Sequence, residues 1–167
     1  PTGMVSRLPY GSSSSLWLGY PTWSQAANDL ITDNSVTVDL QLVVNYYPET
    51  NGLFVHTFSA AKTDLDDSHS IVLMLIDKEI VDWQKDYSLV DDNIEDYHHH
   101  NVHLRNLNGT YGQEVFEAGT ASGETSQNDA TFEISAEEYD EDVAVIAFVQ
   151  NNATLEIVQA SIADVTP

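Results

Sequence analysis

The chain has 167 residues, of which 27 are acidic and 5 basic, giving a formal charge of -22, and 42% are hydrophobic. Such a charge argues against nucleic acid and anionic membrane surfaces as partners, since both would be repelled, while the apolar content is too high for a disordered chain. With no cysteine, disulfides, zinc-thiolate sites and thiol catalysis are excluded.

The acidity fits a highly soluble exported protein, or one working in salty water where screening weakens self-repulsion. No apolar run approaches the roughly 18 residues of a spanning helix, so the chain is expected not to span a membrane. It begins at Pro1 without a methionine or a signal-peptide pattern, which suggests a processed or partial product of a longer precursor.

In chain order, Pro1 to Arg7 is a short apolar start and Tyr10 to Ser15 a Gly/Ser-rich turn. Leu16-Trp17-Leu18 predicts a strand. Thr22 with Gln25 has the capping-box form, and Ser24 to Ile31 suits a short helix ended by Asp33-Asn34. From Ser35 the pattern becomes β. Val36, Val38, Leu40, Leu42 and Val44 alternate with polar residues, as in a half-buried strand.

Pro48 to Gly52 is a turn and Leu53 to Ala60 a second strand. Ile71 to Ile76 is apolar on both faces, which requires cover on both. Asp77 to Tyr97 is polar and weakly patterned, and predicts a long connection with a short strand near Ile80 to Trp83. Asn101 to Leu107 and Ala130 to Ile134 predict shorter strands, with glycines between them. Val143 to Val149 and Leu155 to Ala160, joined through Asn151-Asn152, predict a terminal hairpin.

About seven strands without an intervening helical pattern imply a mainly β fold, an antiparallel sandwich of the Ig-like or jelly-roll type. The expected division is a strand-strand-helix segment over 1–33 and a sandwich over 34–167.

Several short motifs carry a family resemblance. They are Pro1-Thr2-Gly3-Met4-Val5-Ser6-Arg7, Tyr97-His98-His99-His100-Asn101-Val102-His103-Leu104-Arg105, Asn108-Gly109-Thr110-Tyr111-Gly112, Ala147-Phe148-Val149-Gln150 and Glu156-Ile157-Val158-Gln159-Ala160. Together they resemble the outer membrane protein 28 family of Bacteroidota, exported proteins of the surface or periplasm in which a thioredoxin-like domain precedes a β-sandwich. The resemblance implies that residues 1–33 are the last strands and helix of the thioredoxin-like fold. The half that could carry a Cys-x-x-Cys pair is absent from this chain, so no thiol activity carries over.

Two metal readings arise. On an extended strand His98 and His100 share one face about 7 Å apart, close enough to share a zinc, copper or nickel ion with a third ligand. The alternative is a polar strand whose rings stack and hydrogen-bond at a domain seam. Asp64, Asp66 and Asp67 in one turn are the leading calcium candidates, ahead of Asp91, Asp92, Glu95 and Asp96 and of the run Glu137 to Asp142. None has EF-hand spacing, and solvated loops are the alternative. Trp17, Tyr20, Trp23 and Tyr10 offer either a sugar-stacking platform or packing between elements.

No nucleophile elbow or phosphate loop is present. The expected function is therefore a non-enzymatic cell-surface or extracellular structural or adhesion protein, an assembly or filament subunit with a protein partner or self-association. Trp17, Trp23, Ile146 and Phe148 are the expected interaction residues, the last two contacting the N-terminal segment or a neighbouring subunit. The alternatives are a calcium-dependent carbohydrate-binding module and the C-terminal part of a thioredoxin-like exported protein.

Overall fold

The computed structural model describes residues 2–33, 35–88, 93–135, 137–139 and 141–166. Among them the chain is mainly β and antiparallel, with one short α-helix, and forms a β-sandwich. Two short strands, β1 (Thr2–Gly3) and β2 (Leu18–Gly19), pair before a 3-10 turn over Tyr20–Thr22 and helix α1 (Trp23–Asp33). Residues Val38–Tyr47 (β3), Gly52–Ala61 (β4), His69–Lys85 (β5), Asn93–Asn106 (β6), Gln113–Phe116 (β7), Thr125–Glu133 (β8), Val143–Asn151 (β9) and Ile157–Asp164 (β10) build the sandwich. One sheet has the order β10-β9-β5-β6, with β7 also paired to β5, and the other is β3-β4-β8.

The core follows from period 2. Val38 and Tyr46 of β3, Leu53 and Val55 of β4, and Ile71, Leu73 and Leu75 of β5 point inward, with Val143, Val145 and Val149 of β9 between them. Ile134, Val165 and Phe116 close its ends. Leu73, Leu75 and Val145 are almost fully removed from water, and each aliphatic side chain so buried contributes about 1.5–3 kcal/mol of transfer free energy.

The opposite face of β5 and β9 is also covered, as their apolar pattern requires. Val72, Ile76, Ala144 and Phe148 are buried there. Gly112 lies directly over Val72 with φ +72, where a Cβ would fall 2.0 Å from the Ile71 carbonyl oxygen, so only glycine fits that approach.

Three expectations need correction. The polar stretch from Asp77 to Tyr97 is not a long connection. β5 continues unbroken to Lys85, and β6 begins at Asn93 rather than Asn101. A ribbon held mainly by cross-strand pairing lies in solvent on both faces and needs no apolar alternation, so burial patterning could not reveal it. β8 likewise begins at Thr125, before the apolar stretch at Ala130, because Thr125, Gln127 and Asp129 face water. Finally, Thr22 and Gln25 do not form a capping box. The Thr22 hydroxyl donates to the Gly19 carbonyl at 2.8 Å, and the Gln25 amide reaches forward to Asp29 at 2.7 Å.

Candidate functional site

Where the N-terminal segment meets the sandwich, a cleft of about 530 Å³ opens between Leu30 and Ile31 of α1, the β4–β5 connection and the start of β10. The turn carrying Asp64, Asp66 and Asp67 lines it together with His69, Asn151 and Glu156. Donors from two other segments divide the turn's carboxylates. Asp64 accepts from the Ser122 backbone N–H at 2.8 Å, and Asp67 from the Asn151 side-chain amide at 3.0 Å. His69, buried on β5, donates from Nδ1 to the Asp67 carbonyl at 3.0 Å. Among the described residues no group of three or more histidines and carboxylates is arranged to hold a metal ion.

Docking of the N-terminal segment onto the terminal hairpin centres on Arg7. Ser6 and Arg7 both adopt positive φ, 48° and 57°, in a tight turn that presents the Ser6 carbonyl to the Ile157 N–H at 3.0 Å. The Arg7 guanidinium donates to Gln150 Oε1 at 2.8 Å and lies 5.3 Å from the centre of the Phe148 ring, a cation–π arrangement over a buried aromatic. Ile146 pairs with Met74 on one side and Ile162 on the other, and is half-buried. Trp17 is 65% exposed. Trp23 is half-buried, its indole N–H donating to the Leu18 carbonyl at 2.9 Å and its ring meeting Tyr20 edge-on. Tyr10 donates to Asp29 at 2.7 Å, and this bond with that from Gln25 holds the Asp29 carboxyl below the usual range.

Beyond Asp77, where β9 ends its pairing, β5 runs on with β6 as its partner. Val81 stands opposite His98 and Glu79 opposite His100, so the two histidines share one face with that carboxylate. The His98 Nδ1–H donates to Glu79, and the bond pulls the Glu79 carboxyl below the usual range. On the other face the rings of Tyr97 and His99 meet edge-on with centroids 4.8 Å apart. Val81, Trp83 and Tyr87 are strongly exposed. Register shifts at Leu75/Ile76 and Asp82/Gln84 bracket the regular part of the ribbon, and these bulges twist and re-aim the strands.

Of the other acidic runs, Glu138 accepts from the Ser135 backbone N–H at 3.0 Å and from Arg105 at 2.7 Å, which lowers its pKa. Asp91, Asp92 and Asp140 lie outside the described residues. Sequence reasoning passed over Asn108 except as part of Asn-Gly-Thr. Its amide donates to the Ile71 carbonyl at 2.9 Å while its carbonyl accepts from the Leu73 N–H at 2.8 Å. It stands in for a strand between the end of β6 and the start of β7, and no sequence signal marks that role.

No protein-family model and no curated protein matches the sequence. Among solved structures, the fold is similar to a domain of the outer membrane lipoprotein Omp28 from Porphyromonas gingivalis, at TM-score 0.52 and 13% identity over 80% of this chain and 91% of that one. It is also similar to the sporulation control protein Spo0M from Bacillus subtilis, at TM-score 0.51 and 14% identity over 77% of this chain. The similarity spans about half of Spo0M, 48% of its chain. At these identities what is shared is the β-sandwich itself.

Proposed function

We propose that this chain is a non-enzymatic structural domain of an exported, envelope-associated protein, and that it assembles with copies of itself along the free edge of β6. The carrying observation is that edge. Among the described residues β6 pairs only with β5, and a strand with one unpaired edge is a template for another chain.

Charge distribution favours a second copy at this place. In a chain of 27 acids, the stretch from Tyr97 to Gln113 contains none. Two molecules of charge -22 repel over most of their surfaces, and the part of the β6 edge beyond Glu95 and Asp96, from Tyr97 to Asn106, lets backbones approach where that repulsion is weakest. Antiparallel pairing of β6 with its copy is a self-complementary, two-fold contact. The exposed Tyr97 lies on β6 itself and would lose water in such a contact. The similarity to an outer membrane lipoprotein domain and the acidity of the chain support the exported location.

Sedimentation velocity across a concentration series at moderate salt tests this. The expected result is a reversible dimer that the double variant Tyr97→Glu/His99→Glu converts to monomer, with an unchanged circular dichroism spectrum. A chain that stays monomeric throughout, or a variant that associates as the parent does, removes the reading.

A further inference from the structure

The outer face of the β3-β4-β8 sheet carries a mixture of side chains that its role as a sandwich wall does not require. Tyr47 is 54% exposed and Phe58 41% exposed. Tyr47 stands directly opposite Gly52, whose missing side chain leaves room for the Phe54 ring, with Cε2 3.3 Å from where a Cβ would be. The Tyr47 and Phe54 rings meet edge-on, centroids 5.3 Å apart and planes at 87°. Beside them is an open hollow of about 830 Å³, lined by Asn45, Tyr47, Glu49, Phe54 and His56.

Polar groups are interleaved with these rings by register. Asn45 is opposite Phe54, Gln41 opposite Phe58, and His56 opposite Asp129. The His56 ring and Asp129 carboxylate meet at 2.9 Å, and Gln127 donates to the other Asp129 oxygen at 2.9 Å. These two bonds hold the Asp129 carboxyl below the usual range, so it stays an acceptor at neutral pH. Among the described residues the side chains of Gln41, Asn45 and Glu49 make no hydrogen bond or ion pair.

From this arrangement we propose that the outer face of β3-β4-β8 binds a neutral pyranose oligosaccharide, with Tyr47 and Phe54 as the stacking wall and Asn45, His56 and Asp129 as the hydroxyl-binding groups. A pyranose ring presents an apolar C–H face and a rim of hydroxyls that both donate and accept, and so needs aromatic surface and planar polar side chains in alternation. A protein interface of this size would instead be depleted of charged groups at its centre. The carboxylates of Glu49 and Asp129 exclude uronic acids and sulfated sugars by like-charge repulsion. The hollow is within the ordinary range for small-ligand sites, roughly 300–1,000 Å³. This site lies on β3, β4 and β8, away from the β6 edge, and stands or falls independently of self-association.

The test is amide chemical-shift mapping on the full chain titrated to millimolar concentration with cellohexaose, xylohexaose, mannohexaose and a polygalacturonate oligomer. The expected result is saturable shifts from at least one neutral hexaose, confined to residues 41–49, 54–58 and 127–131, with none from the acidic oligomer. Tyr47→Ala should weaken that binding at least tenfold, and Asp129→Asn should weaken it while leaving the thermal midpoint in place. Absence of shifts from all three neutral sugars overturns the proposal. So do shifts confined to Trp17 and Trp23, or binding that Tyr47→Ala leaves intact.

Discussion

One strand, β5, lives in two environments, and the contrast between its halves explains most of the molecule. From His69 to Asp77 it is flanked by β9 on one side and by β7, Asn108 or β6 on the other, and nearly every residue is buried on whichever face it occupies. From Lys78 to Lys85 its strand partner is β6, and no residue is buried, with Val81, Asp82, Trp83 and Lys85 exposed. The backbone is extended in both halves. What changes is the side-chain chemistry: Ile-Val-Leu-Met-Leu-Ile in the first, and Lys-Glu-Ile-Val-Asp-Trp-Gln-Lys in the second. Burial on two faces supplies stability, and pairing without burial supplies an exposed surface.

The largest expected effect tests that division directly. Leu73→Ala removes a side chain that is 1% exposed in the inner core, and should cost about 2–5 kcal/mol in urea unfolding. Val81→Ala, eight residues further along the same strand and 53% exposed, should stay within about 0.5 kcal/mol of the parent. Equal losses for the two variants would mean that the ribbon is part of the cooperative core, and the division would be wrong.

A smaller effect is expected within the buried half, where Asn108 completes the hydrogen bonding of β5 at Ile71 and Leu73. Asn108→Ala leaves the Leu73 N–H and the Ile71 carbonyl without their side-chain partner inside the sheet, an expected loss of about 1–3 kcal/mol. Its particular signature is faster amide exchange at Leu73 with exchange at Val81 unchanged. A Leu73 amide as protected as in the parent would show that the side chain is not holding the strand.

The buried half was legible in the sequence because burial on both faces leaves a mark: Ile71 to Ile76 and Val143 to Val149 have no polar alternation, and the structure covers both sides of each. The strands β3 and β4 and the terminal hairpin were legible for similar reasons of alternation and turn chemistry. The ribbon was not, since Asp77 to Lys85 and Asn93 to Tyr97 pair without a core face to pattern them. The placement of His98 and His100 on one face followed from period 2, but their neighbour Glu79 did not, because the register between β5 and β6 is shifted at two bulges that sequence spacing cannot reveal. Phe54 and Phe58 were visible only as strand residues, and Tyr47 fell between the alternating strand ending at Val44 and the turn at Pro48. Their grouping depends on which strands are neighbours and on Gly52 lying opposite Tyr47.

The smallest effect is on the ribbon, where electrostatics should stay local. The His98 hydrogen bond lowers the Glu79 carboxyl pKa, so in the acid range the unfolded chain takes up this proton before the folded one does. The pair's contribution is therefore fully present above the ordinary carboxylate range and is lost as the pH falls through the lowered folded value. Both groups are largely hydrated and salt-screened, so the contribution should not register in global unfolding. In His98→Asn, the Glu79 carboxyl followed by carbon-13 NMR should titrate at higher pH than in the parent, while the urea midpoint at neutral pH is unchanged. A midpoint that falls as far as in Leu73→Ala would show the ribbon to be coupled to the core through its charges, and the separation drawn along β5 would fail at its outer end.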